Sequence, residues 1–180
     1  MAAGFSYGGW TALSLGGMTG NHDGAVNACM THRESMEACE ILLSDKVSLQ
    51  TQDPEAWNAS YADSRVTQVV AIDPGFVWGL EKTNTADLLP GALFIGLGGK
   101  ETRMLATNFV ESGLSSLLPY ARIVQLDPAF HFTAMPLCTP EAVAILEAEN
   151  DDPVCSDPAG TDRAAVHSAI IEAMSEALSL

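Results

Sequence analysis

Gly4-Phe5-Ser6-Tyr7-Gly8, continued by Gly9-Trp10-Thr11-Ala12-Leu13, spells the G-x-S-x-G pattern of a sharp strand-to-helix turn that lifts a serine clear of the backbone. The turn dictates its surroundings. A strand must enter it and a helix must leave it, and glycines flank the serine because side chains there are expected to collide with the adjoining strand and helix. The helix is expected from Gly8 to about Leu15, with Gly16-Gly17 closing it. Only Met1 to Ala3 precede the pattern, which is expected to be too short for the entering strand.

The remainder alternates in the manner of an α/β domain with a parallel sheet. Short apolar runs at Val66 to Ile72, Leu93 to Leu97 and Arg122 to Leu126 read as parallel strands, giving a three-stranded sheet. Between the last two, Leu105, Phe109, Val110, Leu114, Leu117 and Leu118 recur at helical spacing, so a helix is expected over Met104 to Leu118, ended by Pro119. Further helices are expected at Glu34 to Leu43, and at Glu141 to Glu149 with Thr139 as N-cap and Pro140 at the first helical position. A last one is expected at Asp162 to Leu180, with Val166, Ile170, Ile171, Met174 and Leu178 on its apolar stripe. Residues after Gly17, including His22 and His32, read as a Gly/Asn/Asp-rich loop.

Charge removes whole classes of partner. The 180 residues hold 23 Asp plus Glu against 8 Lys plus Arg, a net charge of −15 that repels phosphate backbones and anionic headgroups. Nucleic acid is therefore not an expected partner. No apolar run approaches the roughly 20 residues of a membrane span, so none is expected. Four cysteines fall in two local groups, Cys29 with Cys39 and Cys138 with Cys155, and none has zinc or redox C-x-x-C spacing. Two local disulfides and an oxidising compartment fit this arrangement; four thiols in a cytoplasmic protein fit the same count.

A serine hydroxyl needs a histidine to take its proton and an acid to orient that histidine. In the α/β-hydrolase arrangement the chain order is nucleophile, acid, histidine. Ser6, Asp73 and His131 have that order: Asp73 directly follows the first strand and His131 lies beyond the strand ending at Leu126. Glu101, reached across Gly98-Gly99 after the middle strand, is the alternative acid. Asp127 precedes a proline and reads as a turn residue. His22 and His32 come too early in the chain, and His167 lies inside the terminal helix; all three read as surface or packing residues. A metal held by His22, Asp23 and His32 lacks the spacing of a metal-binding helix, and no metal or cofactor is expected.

Val69-Val70-Ala71-Ile72-Asp73-Pro74, then Ala129-Phe130-His131-Phe132 with Cys138 shortly after, then Cys155 followed by Gly160-Thr161-Asp162-Arg163-Ala164-Ala165-Val166-His167, together resemble predicted dienelactone hydrolases. These are bacterial, often exported relatives of platelet-activating factor acetylhydrolase. The resemblance covers nearly all of the chain. It implies an α/β-hydrolase-type parallel sheet with flanking helices, with residues 1–180 forming a single partial domain whose N-terminal half is missing. It also implies that Asp73 supplies the acid and that Cys138 pairs with Cys155. True dienelactone hydrolases carry a cysteine nucleophile where this chain has Ser6, so ester hydrolysis through an acyl-enzyme is the expected class.

The expected protein is thus a serine esterase for short-chain or aryl esters, with the Tyr7 N–H as one oxyanion donor. The family's second donor would come from the missing half. A sheet so short leaves open edges, so a homo-oligomer or an N-terminal partner chain is expected. The expected location is periplasmic or secreted, with cytoplasmic the alternative. The competing reading is a non-catalytic remnant or interaction module that lacks a complete oxyanion hole.

Overall fold

The computed structural model describes residues 1–178 and wraps them around four parallel strands in the order β1-β2-β3-β4. These are β1 (Ala2–Phe5), β2 (Val69–Ile72), β3 (Leu93–Leu97) and β4 (Arg122–Leu126). The helices are α1 (Tyr7–Leu15), α2 (His22–Thr31), α3 (Glu37–Leu43), α4 (Pro54–Asn58), α5 (Ala142–Glu149) and α6 (Arg163–Ala177). This is an α/β architecture with an all-parallel sheet and flanking helices.

Side-chain alternation along the strands builds two cores. Val69, Ala71 and Phe94 point to one face, where they meet Ala12 and Leu13 of α1 together with Phe109 and Leu114. Val70, Leu93, Ile95 and Leu97 point to the other, against Ile170 and Ala173 of α6. Every residue of β3 is buried, as expected of an inner parallel strand covered on both faces. β4 lies at the edge and is largely exposed, with Arg122 ion-paired to Glu176 of α6.

Several sequence expectations are corrected. A strand does enter the serine turn, giving four strands instead of three: Ala2 to Phe5 pair in register with Val69 to Ile72. Four residues suffice because the ladder to an apolar neighbour holds them, where the composition Ala-Ala-Gly-Phe has little strand preference of its own. β2 starts at Val69 and not Val66, whose N–H closes a turn onto Asp63. The region after Gly17 contains a helix: the Asn21 side chain caps α2 by accepting from the Gly24 N–H at 3.0 Å, and a Cys29–Cys39 disulfide ties α2 to α3.

No α-helix forms over Met104 to Leu118. Two 3-10 turns stand there instead, Leu105–Thr107 and Leu114–Leu117. The Asn108 side chain accepts from the Glu111 N–H, and Gly113 takes a left-handed conformation at φ 82°, so local turns displace the helical ladder. Phe109 and Leu114 are nonetheless buried, while Val110 is exposed. α3 begins at Glu37 instead of Glu34. α5 begins at Ala142 with Glu141 at the N-cap, leaving Thr139 and Pro140 in the preceding turn. In α6 the stripe is Val166, Ile170 and Met174; Ile171 faces solvent, and residues 179–180 of the expected helix lie outside the described residues.

The two glycines of the serine turn are not equivalent. A Cβ on Gly4 would stand 2.0 Å from the Gly8 carbonyl oxygen, whereas one on Gly8 meets nothing within 4 Å. Gly9 is the second restricted position, since a Cβ there lies 3.2 Å from Pro74 and from the Gly4 oxygen. Gly4→Ala is expected to cost about 3 kcal/mol or more by forcing the backbone apart. Gly8→Ala, at a helical position with open space, is expected to be neutral or stabilising by up to about 1 kcal/mol. Urea unfolding of both variants beside the parent checks this, and equal costs would contradict it.

Candidate active site

Three loops at the same edge of a parallel sheet can converge because every strand ends there. Ser6 follows β1, Asp73 follows β2, and His131 opens the 3-10 turn His131–Ala134 after β4. Ser6 occupies φ 55°, ψ −123°, a conformation that side chains rarely adopt. Its backbone is over-determined: the Ser6 N–H donates to the Ile72 carbonyl at 3.0 Å, and its own carbonyl accepts from Gly75 at 3.1 Å.

Ser6 Oγ lies 3.1 Å from His131 Nε2, and His131 Nδ1 lies 2.7 Å from Asp73 Oδ2. A carboxylate only accepts, so this pairing puts the imidazole proton on Nδ1 and leaves Nε2 free to accept from the serine hydroxyl. Asp73 has no exposed surface; Leu97 N–H donates to its Oδ1 at 3.0 Å and the Thr107 hydroxyl to its Oδ2 at 2.7 Å. Phe5 and Phe132 pack on the His131 ring at centroid separations of 4.6 and 5.2 Å, which keeps water from its faces.

Glu101, the alternative acid, is exposed in the turn after β3 and makes no contact with His131, whose Nδ1 is taken by Asp73. Asp127 accepts from the Gly99 N–H and so fastens two loops to each other. His22 is buried with Nε2 2.8 Å from the Leu49 carbonyl, and His32 leans on Trp78. Among the described residues no three His, Cys, Asp or Glu side chains gather as a metal site. Tyr7 opens α1, so its N–H is one of the first-turn donors without an intrahelical acceptor and lies beside Ser6. Its phenol stacks on Phe76 at 4.8 Å, and partial burial pushes its pKa up, so the hydroxyl stays protonated.

Sequence reading missed Arg103. Its side chain is almost wholly buried, with one guanidinium nitrogen 3.8 Å from Asp73 Oδ1 and the carbon 4.6 Å from the Phe109 ring centroid. Burial lowers the guanidinium's pKa while the Asp73 charge works against that shift. Two cations, Lys100 and Arg103, stand between the Gly98-Gly99 loop and the apolar Met104-Leu105, and which of them is buried depends on where the loop folds.

His167, which reads from the sequence as a surface or packing residue, and Arg163 both fasten the His131 turn. Thr133 donates to Asp157 at 2.7 Å, Arg163 grips both oxygens of Asp157 at 2.9 and 3.0 Å, and His167 Nε2 is 2.8 Å from the Thr133 carbonyl. The Cys138–Cys155 disulfide closes the segment between them, and Arg163 also donates to the Pro136 and Val154 carbonyls.

A cavity of about 520 Å³ opens onto Ser6, Tyr7 and His131 and runs beneath α2 and α3. A larger, more polar hollow of about 860 Å³ lies beyond Trp78, lined by groups such as Asn21, Asn27 and Glu81. It contains none of Ser6, Asp73 and His131 and is therefore not the site of their chemistry. Comparison of the chain with protein-family models, with curated proteins and with solved structures finds no match.

The Asp157 clamp has a pH signature. Burial on its own raises the Asp157 carboxyl, but hydrogen bonds from Arg163 and Thr133 and the charges of Arg163 and His167 outweigh it and hold its pKa below the ordinary range. A depressed folded pKa contributes stability above the unfolded value of about 3.9, lost as pH falls through the folded value. Asp157→Asn is therefore expected to lose stability at pH 5 to 7 and to show a shallower decline than the parent below about pH 4. Urea unfolding between pH 3 and 6 checks the two slopes; parallel slopes would contradict it.

Proposed function

We propose that this protein is a serine hydrolase of the α/β-hydrolase type, related to the dienelactone hydrolase-like esterases, that cleaves carboxylic esters through an acyl-enzyme. One observation carries the reading: Ser6 Oγ, His131 Nε2 and Nδ1, and Asp73 Oδ2 form an unbroken hydrogen-bonded chain from three separate strand ends. The strained Ser6 backbone and the unsatisfied first-turn N–H of Tyr7 support it.

In this mechanism His131 Nε2 takes the Ser6 proton as Oγ attacks the ester carbonyl carbon. Charge on the carbonyl oxygen is met by the Tyr7 N–H, and Asp73 stabilises the imidazolium that forms. The C–O bond to the alcohol breaks as His131 returns the proton to it. Water, deprotonated by His131, then attacks the acyl carbon; the bond to Ser6 Oγ breaks, His131 returns the proton to Oγ, and the carboxylic acid is released. Hydrolysis consumes only water, and the mechanism assigns no step to a cofactor.

β1 is an edge strand, with β2 its one sheet neighbour among the described residues. A second copy or a partner chain pairing there would cover its open ladder and bring further N–H groups near Ser6. The two disulfides favour an oxidising compartment, periplasmic or extracellular.

Short-chain and aryl esters such as p-nitrophenyl butyrate are the test substrates. Ser6→Ala and His131→Ala are expected to lower kcat by an amount on the order of 1,000,000-fold, and Asp73→Asn by an amount on the order of 10,000-fold. Folded parent protein without turnover, or variants as active as the parent, would leave the non-catalytic remnant as the better reading. The active preparations are expected to run as dimers or larger on size-exclusion chromatography with light scattering; a stable, active monomer contradicts the pairing at β1.

A further inference from the structure

The cavity above Ser6 has a composition that selects among esters. The α2–α3 region contributes Ala28, Met36, Ala38 and Leu42 to its lining, and Phe76 and Leu105 also line it. Among its described lining residues there is no Lys or Arg, and Asp152 is the one carboxylate. The α2–α3 region is fixed in place: Cys29–Cys39 staples the two helices, and the half-cystines pack with Met36 and Leu49 in a small core of their own. A volume of about 520 Å³ lies within the range of pockets that enclose whole small molecules, far beyond the needs of an acetyl group.

Resting on the esterase reading, we infer that this cavity is an acyl pocket for a neutral, unbranched chain of medium length, about six to ten carbons. The alcohol leaves before water arrives, whereas the acyl group stays on Ser6 Oγ through the second half of the reaction. The apolar space beside Ser6 therefore serves the group that stays. A chain ending in a carboxylate finds no cation there and meets Asp152, so it loses its hydration without compensation. This separates the protein's substrates from acidic lactones and from half-esters of dicarboxylic acids.

The test measures kcat/KM for p-nitrophenyl acetate, butyrate and octanoate and for the p-nitrophenyl half-ester of suberic acid, which has the octanoate length with a terminal carboxylate. Active sites are counted by phosphonate titration. The ratio is expected to rise about fourfold per methylene buried, levelling before octanoate, so that octanoate exceeds acetate by about 30-fold or more. The suberate half-ester is expected to fall at least about tenfold below octanoate. Ala28→Phe and Ala38→Phe, which place a ring in the cavity, are each expected to cut the octanoate-to-acetate ratio by about tenfold. A flat chain-length series, a suberate half-ester equal to octanoate, or an unchanged ratio in both variants overturns the acyl pocket while acetate turnover leaves the esterase reading standing. Failure of titration and of all four esters overturns both.

Discussion

The carboxylate of Asp73 is the point on which the site depends. A buried charge is tolerated only when its lone pairs are met, and the Asp73 carboxylate accepts from three partners, Leu97, Thr107 and His131, while its backbone N–H donates to the Ile95 carbonyl at 2.7 Å. These bonds join the end of β2 to β3, to the connection leading to β4, and to the loop beyond β4. Arg103 adds an offset positive charge on the side away from solvent. The arrangement fixes the acid in position, and with it the tautomer of His131.

A second set of contacts acts from farther away. α6 packs along the sheet face opposite α1, and from its first turns Arg163 and His167 reach the turn that carries His131. Thr133 is the meeting point, donating through its hydroxyl to Asp157 and facing His167 through its carbonyl. The position of the histidine is thus set by the terminal helix as well as by the sheet, and the Cys138–Cys155 disulfide limits how far the intervening segment can drift.

What could be read from the sequence was what short segments specify by themselves. The Gly4 to Gly9 turn is spelled in six residues, and β2 and β3 announce themselves as short apolar runs, the first of them β-branched. What resisted reading depends on partners distant in sequence. Ala2 to Phe5 becomes a strand only because Val69 to Ile72 lies beside it. α2 was hidden by its polar composition, with Asp23 and Asn27 exposed, and is held by an Asn21 cap and a disulfide to α3. Phe109 and Leu114 showed helical spacing and are buried, yet Asn108 and Gly113 turn the chain between them. Arg103 and Thr107 could not be recognised at all, because nothing local says that their loop closes over Asp73.

In the proposed reaction Ser6 is a nucleophile made reactive by His131. Stoichiometric labelling with a fluorophosphonate, read by intact mass and peptide mapping, tests it most directly. One adduct per chain, located on Ser6, is expected in the parent and none in His131→Ala. Folded parent protein that gains no adduct, or an adduct on Ser6 that forms equally fast without His131, would contradict it.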